Sequence, residues 1–108
     1  MDRLAIIGGR ELYGELEISG AKNSAIKVMV ASLLTDEPLT LTNMPDLADV
    51  RQLMVLLENH GVTIERAKGK VTLAANTITS TTAPYDIVRK MRASFNVLGP
   101  LLAREGRA

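Results

Sequence analysis

The sequence predicts an α/β unit in which helices pack on a small mixed sheet. Three observations carry that expectation. Short segments of period-two alternation are interleaved with longer apolar or helix-spaced segments. Apolar residues make up 46% of the chain and aromatics only 3%, so the core must be aliphatic. A length of 108 residues is enough for one small domain.

The elements follow in order. Leu4 to Ile7 reads as a short buried strand, stopped by Gly8-Gly9. Tyr13 to Ser19 places Glu15 and Glu17 on one side and Leu16 and Ile18 on the other, as in a half-buried strand. Asn23 or Ser24 starts a helix to about Leu34, apolar almost all round and so expected to be buried on most faces. Asp36-Glu37-Pro38 ends it, and Leu39 to Thr42 alternates as a strand. Asp46 is the expected N-cap of the next helix, with Asp49 in its first turn. Leu47, Val50, Leu53, Met54 and Leu57 give that helix its apolar stripe, and Gly61 ends it.

Val62 to Glu65 and Val71 to Leu73 then read as a hairpin turning through Lys68-Gly69-Lys70. Asn76 to Thr82 is a polar loop. Pro84 suits the first turn of a further helix through Tyr85, Val88 and Met91, with Arg89, Lys90 and Arg92 clustered at its end. Phe95 to Ala103 is a second apolar helical segment, bent or started near Gly99-Pro100.

Composition also restricts function. A net charge of +1, with the charged residues dispersed, gives no basic stripe for nucleic acid or an acidic membrane surface. The chain has no cysteine and one histidine, His60, which excludes disulfides, thiol nucleophiles and multi-histidine metal sites. Neither a metal nor another cofactor is expected. The N-terminus lacks the apolar core of a signal peptide, and Ala25 to Leu34 is too short to span a bilayer. These features lead to the expectation of a cytoplasmic protein.

Candidate chemistry centres on Lys22 and Asn23, at a strand-to-helix junction. The ammonium is a point charge for a carboxylate or phosphate, and the carboxamide both donates and accepts. A helix N-terminus behind them adds free N–H groups and a positive dipole end. Other polar residues have plainer readings. Asp46 and Asp49 are capping groups, and His60 is a helix-end cation. Arg89 and Lys90 are cations at a helix terminus.

Five motifs occur in one order: I-S-G-A-K-N-S-A, A-S-L-L-T-D-E-P-L-T-L, M-P-D-L-A-D-V, A-P-Y-D-I-V-R-K-M-R-A-S-F and L-G-P-L-L-A-R-E-G. Together the sequence resembles the first quarter or so of an enolpyruvyl transferase, weakest between Arg66 and Thr82. Within the family it resembles the branch acting on UDP-N-acetylglucosamine. The shikimate-pathway branch typically has a Ser-Lys-Ser style motif where this chain has Ala21-Lys22-Asn23.

The resemblance implies an inside-out α/β barrel built from βαβαββ units, here incomplete. Residues 1–21 would be strands belonging to the other domain, and residues 22–108 the first part of an enolpyruvyl transferase domain. It implies transfer of enolpyruvyl from phosphoenolpyruvate to the 3-hydroxyl of UDP-N-acetylglucosamine, a step in peptidoglycan synthesis. Lys22, Asn23 and Arg92 would bind substrate. The family's acid is a cysteine on a later glycine-rich loop, so this chain alone is expected to be inactive, with no catalytic residue of its own. Apolar faces meant for missing units would favour self-association. Two positions depart from the family pattern. Lys27 replaces the usual proline and Asn96 a large apolar residue, so both put polar groups into segments expected to be buried.

Overall fold

A computed structural model describes residues 2–108. The packed body begins at α1, Lys22–Val30, which tightens into a 3₁₀ turn at Ala31–Leu34. It continues through β1 (Leu39–Thr42), α2 (Ala48–Asn59), β2 (Thr63–Ala67) and β3 (Lys70–Ala74). The short α3 (Tyr85–Val88), a 3₁₀ segment at Arg92–Val97 and α4 (Leu98–Glu105) complete it. Among the described residues, no helix is long and apolar enough to cross a membrane.

The three strands lie in the order β1-β3-β2, and both pairings are antiparallel. The sheet is therefore wholly antiparallel, not the mixed sheet that the sequence reading expected. β1 and β2 run the same way, with α2 as the crossover between them, but β3 turns back and inserts between the two. This is a split βαβ arrangement. Gly69 takes φ +68° in the hairpin turn, and Leu73 pairs with Leu39 on one side and Ile64 on the other.

The core is aliphatic, as the composition requires. Ala25, Ile26, Met29 and Val30 of α1 meet Val50, Leu53, Met54, Leu56 and Leu57 of α2, over Val71 and Leu73 of β3. Met91, Val97 and Leu101 close one end. Arg104 on α4 donates to the carbonyls of Leu33 (3.2 Å), Thr35 (3.0 Å) and Asn76 (3.3 Å), tying that helix to the end of the 3₁₀ turn.

Several expectations change. Residues 2–20 hold no strand, and residues 2–19 form an exposed arm. Leu4, Ile7, Leu16 and Ile18, expected to be buried or half-buried, are more than three-quarters exposed. A strand satisfies its backbone only through neighbours, and this arm has none beside it. The arm also explains a Cα radius of gyration of 17.2 Å, where a compact chain of this length gives about 13 Å.

The first helix is not buried on most faces, because Lys22, Asn23, Ser24, Lys27 and Val28 are exposed. Lys27 thus reaches solvent and costs the core nothing, while Asn96 is half-buried. Asp46 does not cap α2. Leu47 holds the N-cap position without a side-chain bond and is itself exposed, and Asp46 instead pairs with Arg51. The helix begun at Pro84 stops at Val88, because Met91 turns extended (φ −149°, ψ 119°) to bury its side chain. Phe95 faces outward.

His60 is wholly buried rather than a solvated helix-end cation. It occupies the C-cap position of α2, and its Nδ1 lies 2.8 Å from the Ser80 carbonyl. A carbonyl only accepts, so the proton sits on Nδ1. The Thr79 N–H donates back to the His60 carbonyl at 2.9 Å, and Asn59 Nδ2 donates to the Thr82 carbonyl at 3.1 Å. Gly61, at φ +106°, lets the loop pass close. A Cβ there would lie 2.6 Å from the Thr77 carbonyl oxygen.

Candidate functional site

The junction between arm and body is built by a close backbone approach. Gly20 lies against the turn after β1, where a Cβ would collide with the Asn43 carbonyl and stand 3.2 Å from Pro45 Cδ. Asn43 adopts φ +55°, a left-handed conformation that asparagine tolerates better than most residues. Its Nδ2 donates to the Ile18 carbonyl at 3.2 Å. The chain is thereby steered into α1 beside the loop that leads into α2.

Lys22 and Asn23 are the first two residues of α1. Ala21 is extended at the N-cap position and provides no side-chain cap, and the first helical bond runs from the Ala25 N–H to the Ala21 carbonyl at 2.9 Å. The N–H groups of Lys22, Asn23 and Ser24 therefore have no intrahelical acceptor. Both side chains are exposed, so the junction presents an ammonium, a carboxamide and free N–H groups together. That set suits an oxyanion flanked by a hydroxyl.

The Lys22 ammonium is held 2.9 Å from Asp49 Oδ2. Asp49 lies in the first turn of α2, where the helix dipole favours a carboxylate. Both side chains are nearly half-exposed, so the pair contributes about 0–1 kcal/mol to stability. Its main effect is geometric, because it fixes where the ammonium points. Sequence reasoning read Asp49 only as a capping group. No local pattern could have linked it to Lys22, since their partnership depends on two helices packing side by side.

Arg92 opens the 92–97 3₁₀ segment and is exposed. Among the described residues its guanidinium makes no ion pair or side-chain hydrogen bond. It is not at a helix C-terminus, so the plainer reading of a dipole-stabilised cation does not apply. The 92–97 segment packs against α1, which places Arg92 on an element adjoining the helix headed by Lys22 and Asn23. Arg89 does sit at the end of α3, 4.0 Å from the Asp86 carboxylate.

A helix opening on an uncapped Lys-Asn pair thus packs on a split βαβ unit, and the chain as a whole matches a family of carboxyvinyl transferases. The chain belongs to the EPSP synthase (3-phosphoshikimate 1-carboxyvinyltransferase) family, whose model matches residues 6–108. More particularly, it is 62% identical over 112 aligned residues to the UDP-N-acetylglucosamine 1-carboxyvinyltransferase of Caulobacter vibrioides (strain NA1000 / CB15N). It is 63% identical over 109 residues to the protein of the same name from Maricaulis maris. Each alignment covers the whole of this chain and 26% of the relative, so the chain spans about a quarter of their length. Among solved structures, the enolpyruvyl transferase NikO from Streptomyces tendae matches with a TM-score of 0.75 and 25% identity. That match covers 92% of this chain and 23% of NikO.

Proposed function

We propose that this chain forms the substrate-anchoring quarter of a transferase that moves enolpyruvyl from phosphoenolpyruvate to the 3-hydroxyl of UDP-N-acetylglucosamine. The sugar hydroxyl adds to C2 of the enol while C3 takes a proton. Loss of phosphate from C2 and of a proton from C3 then restores the double bond. Lys22 balances the charge of phosphoenolpyruvate, Asn23 orients a hydroxyl or phosphate oxygen, and Arg92 supplies a fork for a carboxylate or phosphate. Fixed donors of this kind stabilise charge that develops in the transition state without having to reorganise.

The observation that carries this reading is the placement of Lys22 and Asn23 on the open N-terminus of α1, with the ammonium anchored by Asp49. The identity to relatives named for UDP-N-acetylglucosamine supports a sugar-nucleotide acceptor over a shikimate phosphate. The exposed arm supports a division at the junction, with residues 1–21 completing a sheet in another domain and residues 22–108 beginning this one. With this reading go a role in peptidoglycan precursor synthesis, and so in cell-wall biogenesis, cell shape and division, and a cytoplasmic location.

The test is a chimera in which this chain replaces the matching segment of the Caulobacter vibrioides relative. Phosphate release that depends on both phosphoenolpyruvate and UDP-N-acetylglucosamine, and is lost in Lys22→Ala and Arg92→Ala, is the expected result. An active chimera indifferent to both substitutions overturns the site. Release with shikimate 3-phosphate instead of the nucleotide sugar overturns the acceptor.

A further inference from the structure

A further cavity lies between the first turns of α2 and the tip of the β2–β3 hairpin. Its volume is about 420 Å³, within the range of small-molecule pockets. Its floor is apolar, formed in part by Val50, Met54 and Val71. Its rim is mainly basic, with Arg66, Lys68 and Lys70 contributed by the hairpin and Arg51 by α2, against one carboxylate, Asp46.

The register of the hairpin explains the place of Arg66, whereas Lys70, next to Val71, starts on the opposite face of β3 and meets the rim only at the strand end. Arg66 pairs with Val71 and Ile64 with Leu73, so Arg66 shares the face that β2 turns toward the core. At the end of the sheet the core gives out, and the Arg66 guanidinium lies across Met54, its Nη1 3.6 Å from the sulfur. Lys68 and Lys70 flank Gly69 in the turn. Among the described residues none of these three cations has an acidic partner. Arg51, the fourth cation on the rim, is already paired with Asp46.

The cavity and the junction adjoin at Pro45, which lines the cavity and lies beside Gly20, but they use different faces of α2. Successive helical residues are turned by about 100°, so Arg51 points about 160° away from Asp49 on α2. Asp49 faces Lys22, whereas Val50, Arg51 and Met54 line the cavity.

We propose that this cavity binds an organic phosphate with two or more negative charges and an apolar or aromatic body. Three unpaired cations on one rim favour a multiply charged anion over a single carboxylate. The body of the ligand would rest on Val50, Val71 and Met54, whose thioether adapts to the surface laid on it. Inorganic phosphate would reach the rim but leave the floor uncovered.

The test is titration of the 108-residue chain with ADP at 150 mM salt, followed by amide chemical shifts. Expected are ADP-dependent shifts at Val50, Met54, Arg66 and Val71. The Lys68→Ala/Lys70→Ala double variant should weaken binding at least tenfold. Both lysines are exposed, so that variant should keep its fold, to be checked by the unchanged remainder of the spectrum. Lys22→Ala should bind ADP as the parent does, which separates this site from the proposed substrate junction. The proposal is overturned if ADP leaves those amides unmoved at millimolar concentration, if the double variant binds equally well, or if inorganic phosphate binds as tightly as ADP.

Discussion

The Lys22 ammonium and the Asp49 carboxylate, 2.9 Å apart, join the first turns of α1 and α2. The pair is partly solvated, so it orients more than it stabilises. In the chimeric transferase, Lys22→Ala is expected to lower kcat/KM for phosphoenolpyruvate by about 100-fold or more, with little change in melting temperature. Asp49→Asn keeps the ammonium but loosens its aim, and a loss of about 10-fold is expected. Steady-state phosphate release and a thermal melt of each variant provide the check.

The 108-residue polypeptide alone is expected to give no turnover. It spans about a quarter of the length of the transferases it resembles, and no proton donor for the enol carbon is assigned among its residues. Phosphate release above background with both substrates present is the result that would contradict this.

His60 holds the loop after β3 onto the end of α2. Replacing it by alanine removes a fully buried ring and leaves the Ser80 carbonyl without its donor. A loss of about 2–4 kcal/mol is expected. Urea unfolding would show it as a lower midpoint at an unchanged slope.

Gly61 combines φ +106° with contact too close for any Cβ. Gly61→Ala should cost about 1–3 kcal/mol, from backbone strain and from pushing the Thr77–Thr79 loop away. At Gly69 the φ is +68° but the surroundings are open, so Gly69→Ala should cost less. The difference between the two in urea midpoint separates the steric part from the conformational part.

The arm exposes Leu4, Ile6, Ile7, Leu12, Leu16 and Ile18 with nothing packed on them. The isolated chain is therefore expected to self-associate through these residues. Sedimentation of the chain with and without residues 1–19 measures this, and identical behaviour of the two would rule the arm out as the cause.

Much of the body was legible in the sequence because its signals are local. The alternation of Leu39 to Thr42 became β1, the stripe of Val50, Leu53, Met54 and Leu57 became the buried face of α2, and the Lys68-Gly69 turn closed the hairpin. Lys22 and Asn23 could be placed at a helix start for the same reason. The errors fell where the outcome depends on what lies alongside. Leu16 and Ile18 have the pattern of a strand but no neighbour to pair with. Asp46 is a good capping residue, yet Arg51 one turn on competes for its carboxylate. Met91 gave up helix to reach the core.

Residue order alone was enough to set the helical and strand-forming stretches, the aliphatic character of the core and the Lys-Asn pair at a helix start, since each depends on neighbours within a turn or two. Packing settled the rest: the antiparallel order of the sheet, the burial of His60 against Ser80, the partnership of Lys22 with Asp49 and the Arg66 guanidinium laid across Met54. These are contacts between residues far apart in the chain. Their geometry follows from how helices and strands stack, which no local pattern of residues encodes.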